Sequence, residues 1–147
     1  MYFRNMKIAF HTLGCKLNFS ETSFIANDLK NEEIEITNFS DKSDVYVINT
    51  CSVTDNANKE CRQLIRKVKK ISPNSIITIM GCYAQLKPDE LKQIEGVNLV
   101  LGANEKFKLK EYLKKGVGSF SAYAGAFCFT IFDKSLGELI CVRDHLG

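Results

Sequence analysis

The sequence predicts an α/β fold: a Rossmann-like, mainly parallel sheet of five strands with helices on both faces, followed by a C-terminal β-hairpin. Through residues 6–115, short apolar runs alternate with helical segments, and helices between strands favour a parallel sheet with covered faces. From residue 126 onward, two apolar runs instead flank a short turn, which is typical of a hairpin. A chain of 147 residues with 45% apolar content is long enough for one such domain and a short extra piece.

The predicted elements follow the order βαββαβαβα. Strands are expected over 6–12, 34–39, 44–49, 75–81 and 98–101, and helices over 17–31, 55–71, 88–94 and 105–115. Each strand is a short apolar run. The run over 44–49 (DVYVIN) is β-branched, as strands buried on both faces of a parallel sheet usually are.

The helices are predicted from their periodicity and their end signals. In the first helix, Asn18 and Glu21 have the spacing of a capping box, with Asn18 in the cap position. The second helix places apolar residues at i, i+3, i+4 and i+7, namely Cys61, Leu64, Ile65 and Val68. Pro73 breaks this helix, Pro88 opens the next, and the last helix is basic.

The chain divides into three predicted segments. The α/β domain covers residues 6–115 and is followed by a linker of small residues over 116–125. The hairpin segment covers 126–147, where AFCFTIF and LICV flank the turn DKSLG.

Three cysteines stand at equivalent places in the predicted sheet. Cys15, Cys51 and Cys82 each come just after a predicted strand, in a short loop before a helical pattern. Loops that leave the carboxyl ends of parallel strands gather at one edge of the sheet, so the three thiols are expected to converge. A metal or iron–sulfur site would explain this, and three protein ligands would leave one iron open. Three buried, apolar cysteines remain the alternative, and zinc is disfavoured because no CxxC pair is present.

The other candidate residues have simpler explanations. Cys61 lies on the apolar stripe of its helix, and we expect it to pack in the core. Cys128 and Cys141 are expected to be ordinary strand residues of the hairpin, and His11 a packed histidine of the first strand.

Two predicted helices carry many basic residues. Each set predicts a solvated face or, alternatively, a contact with RNA phosphates or with an acidic neighbouring domain. The set on the second helix is Lys59, Arg62, Arg66, Lys67, Lys69 and Lys70, and the set on the last helix is Lys106, Lys108, Lys110, Lys114 and Lys115.

Composition and motifs exclude several classes of protein. No apolar run is long enough to cross a membrane and the start lacks a signal-peptide pattern, so we expect a cytoplasmic protein without a membrane span. A net charge of +3 is too small to argue for nucleic-acid binding by itself. Neither GxGxxG nor a Walker A loop is present.

The cysteine loops resemble the N-terminal domain of the radical-SAM methylthiotransferases. The resemblance covers roughly residues 6–113 and is carried by TLGCKLN with ET at 21–22, by VINTCSVT at 47–54 and by GCYAQ at 81–85. Within that family, the sequence of these loops is most similar to the branch that acts on threonylcarbamoyladenosine in tRNA.

The resemblance implies a cofactor and a reaction. Cys15, Cys51 and Cys82 are implied to bind a [4Fe-4S] cluster. The open iron is further implied to take part in adding a methylthio group to an adenosine next to the anticodon. Asn18 and Asn49 are expected to support these loops, although each could simply cap a helix or close a turn.

Part of the family pattern is missing from this sequence. Such enzymes continue into a barrel with a CxxxCxxC motif, which binds the second [4Fe-4S] cluster and S-adenosylmethionine, and then into an RNA-binding domain. No CxxxCxxC occurs here. The chain by itself is therefore expected to bind a cluster without catalysing the reaction. The implied partners are tRNA, through the missing domains, and a sulfur donor, with no DNA and no membrane.

The tail resembles a different family. Two stretches, GAFCFTIFD at 125–133 and CVRDHLG at 141–147, are similar to a segment of the glutamine-amidotransferase domain of asparagine synthetase. The nucleophilic N-terminal cysteine of that family has no counterpart here, so glutamine hydrolysis is not expected. Three alternatives to the methylthiotransferase interpretation stay open. They are a non-enzymatic iron–sulfur or metal-binding module, an asparagine synthetase fragment, and an α/β domain without a cofactor.

Overall fold

A computed structural model describes residues 6–32, 34–51, 55–102 and 104–113, together with the backbone of two further strands. The strands are β1 (Lys7–Thr12), β2 (Glu35–Thr37), β3 (Val45–Thr50), β4 (Ile76–Gly81), β5 (Leu99–Leu101), β6 (Cys128–Asp133) and β7 (Glu138–Arg143). The helices are α1 (Lys16–Lys30), α2 (Asp55–Ile71), α3 (Cys82–Leu86) and α4 (Pro88–Lys92). A 3-10 turn, Lys106–Lys108, leads into helical residues 109–113.

The first five strands form one parallel sheet in the order β2-β1-β3-β4-β5. The predicted Rossmann-like class is therefore confirmed. β3 lies at the centre of the sheet, and all six of its residues are buried. The apolar, β-branched run at 44–49 correctly predicted a strand covered on both faces.

Two apolar cores lie on opposite faces of this sheet. Side chains alternate along β3, so Val45 and Val47 enter one core while Tyr46 and Ile48 enter the other. The first core packs against α1 and residues 109–113. The second packs against α2, α3 and α4, and contains Cys61 as predicted. Helices therefore cover both faces, in agreement with the sequence prediction.

The hairpin prediction at the C-terminus agrees with the backbone of β6 and β7. These strands pair antiparallel, with Cys128 opposite Arg143 and Thr130 opposite Cys141. Their side chains, the linker over 116–125 and the turn between the strands lie outside the described residues. The resemblance to asparagine synthetase, which falls on this segment, therefore stays a prediction.

Three local predictions need correction. The helix α3 was not predicted, and Cys82 is its first residue rather than a loop residue before a helix. The basic segment after β5 begins as a 3-10 turn and not as an α-helix at residue 105. The capping box is wrong as well, because α1 begins at Lys16 and Cys15 occupies the cap position.

The described part of the chain contains no helix that combines the length and the apolar character needed to cross a lipid bilayer.

Candidate metal centre at the carboxyl edge of the sheet

The three cysteines lie at the carboxyl ends of three adjacent strands. Cys15 follows β1 after a short loop, Cys51 follows β3 directly, and Cys82 follows β4 directly. The strands end at the same level, because Thr12 pairs with Asn49 and Thr50 pairs with Gly81. Parallel strands in this register deliver all three loops to one edge of the sheet, which we call the cysteine edge.

Two glycines let the loops of the cysteine edge approach each other closely. Gly14 has a φ of +108°, and a Cβ placed there would stand 2.5 Å from the Cβ of Cys51. Gly81 has a φ of +101°, and its Cβ would stand 2.5 Å from the side-chain oxygen of Asn49 and closer still to the carbonyl oxygen of Thr50. L-residues rarely adopt such φ values, and neither position leaves room for a side chain. The glycines before Cys15 and Cys82 are therefore required by geometry.

Asn18 joins two of the cysteine loops through its side-chain amide. Its Nδ2 donates to the carbonyl of Leu13 at 2.9 Å and to the carbonyl of Thr50 at 3.4 Å. These carbonyls immediately precede Gly14–Cys15 and Cys51. Asn18 is 3% exposed, so both bonds are shielded from water. The predicted supporting role of Asn18 thus has a definite structural basis, and it differs from helix capping.

Asn49 forms the next layer beneath the same loops. Its Nδ2 donates to the backbone carbonyl of Asn18 and to the hydroxyl of Thr22, each at 3.1 Å, and Thr22 also accepts from Thr12 at 2.7 Å. Asn49 is fully buried, and its Oδ1 has no hydrogen-bond partner among the described residues. A buried acceptor without a partner lowers the stability of the fold.

The thiols are accessible, and one is shifted toward its ionised form. Cys15 and Cys82 are exposed and Cys51 is partly exposed. The backbone N–H groups of Asn18 and Leu17, at the start of α1, hold the pKa of the Cys15 thiol below its ordinary value. Thiolates are the nucleophilic and metal-binding form of cysteine.

The chemistry of the cysteine edge suits an iron–sulfur cluster, in which each cysteine binds a different iron. The features that suit it are three accessible thiols on three loops, two glycines without side chains, and the backbone N–H groups that favour the Cys15 thiolate. In the described ranges, no three His, Cys, Asp or Glu side chains are arranged to hold a metal ion.

A polar network fixes the helix that Cys82 begins. Tyr83 is almost fully buried, and its hydroxyl donates to Glu90 at 2.6 Å, while Arg62 donates to the same carboxylate oxygen at 2.9 Å. Burial and the bond to Glu90 raise the pKa of Tyr83 to about 12. This network ties α3 and α4 to α2, the helix that follows Cys51. The sequence does not predict this network, and its one local signal is the position of Tyr83 next to the candidate ligand Cys82.

Of two remaining candidates, Cys61 is a core residue and His11 is a half-buried, packed residue. Cys61 is fully buried, and burial raises the pKa of its thiol to about 12. The ring of His11 packs 5.0 Å from that of Phe39, and burial lowers the pKa of the imidazole. Both residues therefore behave as the sequence predicted.

Lys106 differs from its prediction. It was expected on a solvated basic face, but it is 5% exposed and its Nζ lies 2.5 Å from Glu21 on α1. Glu21 was predicted to serve in a capping box and instead anchors this lysine.

The match to known proteins covers the sheet and its cysteine edge. A model of the uncharacterized protein family UPF0004 matches residues 7–102. The chain belongs to the UPF0004 family. This finding confirms the family resemblance of the α/β domain.

The curated relatives of this UPF0004 chain are named for tRNA modification. The threonylcarbamoyladenosine tRNA methylthiotransferases MtaB of Aquifex aeolicus and Bacillus subtilis are 41% and 43% identical to it, over 75% and 72% of its length. The tRNA-2-methylthio-N(6)-dimethylallyladenosine synthase of Flavobacterium psychrophilum is 33% identical over 65% of the chain. The aligned parts make up 28%, 24% and 21% of these relatives, so the chain spans about a quarter of their length.

Proposed function

We propose that this chain is the cluster-binding domain of a tRNA methylthiotransferase, in which Cys15, Cys51 and Cys82 bind a [4Fe-4S] cluster. The observation that carries the proposal is the cysteine edge, where three adjacent parallel strands each end in an accessible cysteine. The names of the relatives supply the reaction class: a methylthio group is added to a modified adenosine in tRNA. By the resemblance, this adenosine lies next to the anticodon.

The cluster would supply an iron with an open coordination position, at which sulfur can be held for transfer. The chain's own residues would hold the thiolates in place. The amide of Asn18 fixes the loops of Cys15 and Cys51 against each other, and Gly81, directly before Cys82, lets the end of β4 lie close to Thr50. Backbone N–H groups at the start of α1 favour the thiolate of Cys15.

We further propose that this chain binds its cluster without catalysing the complete reaction. Cleavage of S-adenosylmethionine needs a second [4Fe-4S] cluster, and no CxxxCxxC motif is present in the sequence to bind it. The relatives extend well beyond the aligned quarter, and those further residues would provide this chemistry and contacts to tRNA. A sulfur donor is the other proposed partner, and the cytoplasm is the proposed location.

The test is anaerobic reconstitution with iron and sulfide, followed by measurement of both per chain. We expect about four of each, with the charge-transfer absorption of a [4Fe-4S] cluster. The variants Cys15→Ala, Cys51→Ala and Cys82→Ala are each expected to lose most of the iron. Cys61→Ala is the matched control, because that cysteine is buried in the second core. Equal iron in all four variants, or none in the wild type, would refute the cluster proposal.

A complementation experiment tests the reaction class separately. The chain is joined to the downstream domains of the Bacillus subtilis relative, with the junction placed after residue 113. Methylthiolated tRNA in a strain lacking that enzyme supports the methylthiotransferase assignment. Full iron loading without any methylthiolation would favour a non-enzymatic iron–sulfur module instead.

A further inference from the structure

The outer face of α2 carries a line of positive charge. α2 contains six cationic residues, Lys59, Arg62, Arg66, Lys67, Lys69 and Lys70, and two acidic ones, Asp55 and Glu60. Its buried side, with Cys61, Ile65 and Val68, packs on the sheet, so the opposite side faces away from the core. We use the name basic stripe for Lys59, Arg66 and Lys70, all of which are exposed.

The residues of the basic stripe are free to bind a partner. Two of the other cationic side chains of α2 hydrogen-bond within the domain. Arg62 donates to Glu90 at 2.9 Å, and Lys69 donates to the carbonyl of Pro73 at 2.8 Å. Lys59, Arg66 and Lys70 make no hydrogen bond or ion pair to another residue in the described part of the chain. Their charges are therefore not neutralised within this part of the domain.

The spacing of the basic stripe suits an extended, evenly charged ligand. Its members are seven and four residues apart, so at about 100° per residue they fall within about 40° of one another around α2. At a rise of about 1.5 Å per residue they span about 16 Å. A strand of nucleic acid carries one charge every ~3.4 Å, and about five phosphates would face this length. The neutral polar side chains of Asn56 and Gln63 lie on the same face and could donate hydrogen bonds beside the cations.

The position of α2 relates the basic stripe to the cysteine edge. α2 begins at Asp55, shortly after Cys51, and runs away from that edge. The carboxylate of Asp55 repels phosphate at the first turn, so the binding surface begins at Lys59, one turn farther on. An RNA whose nucleotide reaches the cysteine edge could therefore continue along α2 with its backbone against the basic stripe.

We propose that the basic stripe of α2 binds the phosphate backbone of the tRNA whose nucleotide is presented at the cysteine edge. This inference rests on the proposed function, because the choice of RNA over an acidic protein follows from the tRNA substrates in the names of the relatives. The role of the stripe is to position the RNA, and it makes no contribution to holding the cluster.

The test compares two triple variants with the same change in charge. One replaces the stripe (Lys59→Gln, Arg66→Gln, Lys70→Gln), and the other replaces exposed lysines elsewhere (Lys30→Gln, Lys42→Gln, Lys92→Gln). Binding of an in vitro transcribed tRNA to the reconstituted chain is measured by fluorescence anisotropy over a series of salt concentrations. We expect the stripe variant to bind at least ~10-fold more weakly at moderate salt. Its log–log salt slope should be shallower by about 2, since roughly 0.7 counterions are released per phosphate contact with a single strand. The control variant should change little.

Three results would overturn the proposal. They are no binding of tRNA by the wild type, equal losses in the two triple variants, and stripe-dependent binding of poly-glutamate but not of tRNA. The third result would identify an acidic protein as the partner. Iron content, measured on the same samples, separates this inference from the proposed function. The stripe variant should load as much iron as the wild type. A wild-type chain that loads no iron but still binds tRNA through the basic stripe would refute the cluster proposal and leave this inference standing.

Discussion

Replacing Gly81 with alanine tests whether close packing of backbone at the cysteine edge is essential. Gly81 is the last residue of β4 and pairs with Thr50, the last residue of β3. Its φ of +101° and ψ of −158° lie in a region that essentially only glycine occupies. The new Cβ would stand 2.5 Å from the side-chain oxygen of Asn49, whereas real Cβ atoms essentially never come closer than 3.0 Å to such a neighbour.

The expected cost of Gly81→Ala has two parts. The φ value costs about 1–3 kcal/mol in any residue with a side chain. The steric overlap adds about 1–3 kcal/mol, because the surrounding atoms cannot move freely. They are the backbone of Thr50 and the amide of Asn49, which its own hydrogen bonds hold in place. We expect Gly81→Ala to lower the free energy of unfolding by about 4 kcal/mol in total.

Gly96→Ala is the matched control for this experiment. Gly96 also has a positive φ, +95°, but a Cβ there meets only the flexible side chain of Lys69, at 3.0–3.3 Å. The control therefore carries the conformational cost of about 1–3 kcal/mol without the overlap. Both variants are unfolded with urea, and their iron content is measured after reconstitution. Gly81→Ala should be less stable by about 2 kcal/mol than Gly96→Ala and should lose iron, since Cys51 and Cys82 adjoin the displaced atoms.

Equal free energies of unfolding for the two alanine variants, within about 0.5 kcal/mol, together with equal iron content, would contradict this expectation. Such a result would mean that the carboxyl ends of β3 and β4 separate at little cost. The cysteine edge would then be too flexible to hold the thiols of Cys51 and Cys82 in fixed positions.

Three further predictions concern buried polar groups. Asn18→Asp should lower the free energy of unfolding by about 3 kcal/mol, because a carboxylate replaces the amide that now donates to two carbonyls. Urea unfolding measures this loss, and Asn56→Asp on the exposed face of α2 is the control. Between pH 9 and pH 10, the free energy of unfolding should fall by about 1.4 kcal/mol per pH unit, because burial raises the pKa of Cys61 to about 12 and this thiol then ionises only in the unfolded state. Cys61→Ala should remove this slope, and an unchanged slope would contradict the assignment. Lys106→Met should lower the free energy of unfolding by about 3 kcal/mol, because it leaves the Glu21 carboxylate without its ion-pair partner. In a double-mutant cycle, adding Glu21→Gln should restore most of this stability.

The sequence predicted the sheet well because its signals are local and strong. The β-branched run at 44–49 correctly indicated a strand covered on both faces, and the apolar stripe of α2 correctly placed Cys61 in the core. Once the strands were identified, parallel topology brought Cys15, Cys51 and Cys82 to one edge. That inference needed no knowledge of any individual contact.

The sequence could not predict interactions between distant parts of the chain. The bond from Lys106 to Glu21 joins residues 85 positions apart, and no local pattern indicates it. The capping role predicted for Asn18 is wrong for a related reason, whereas its predicted role in supporting the loops agrees with its hydrogen bonds. Its spacing to Glu21 satisfies the capping rule, but the chain turns into α1 earlier, at Cys15, and the amide is used for tertiary contacts instead. Whether the thiols bind iron is likewise a matter of chemistry that spacing alone does not establish.

The distribution of the three cysteines over separate strands has a consequence for the order of assembly. In a compact metal motif the ligands lie close together in sequence, and the ion can organise an otherwise unfolded peptide. Here one helix and two strands separate Cys15 from Cys51, one helix and one strand separate Cys51 from Cys82, and only the pairing of β1, β3 and β4 brings the thiols together. Closing such loops costs entropy that iron meeting an unfolded chain would not recover. For the proposed cluster site, the sheet therefore has to form before all three thiols can bind iron, and the cluster would enter the folded domain at its exposed edge.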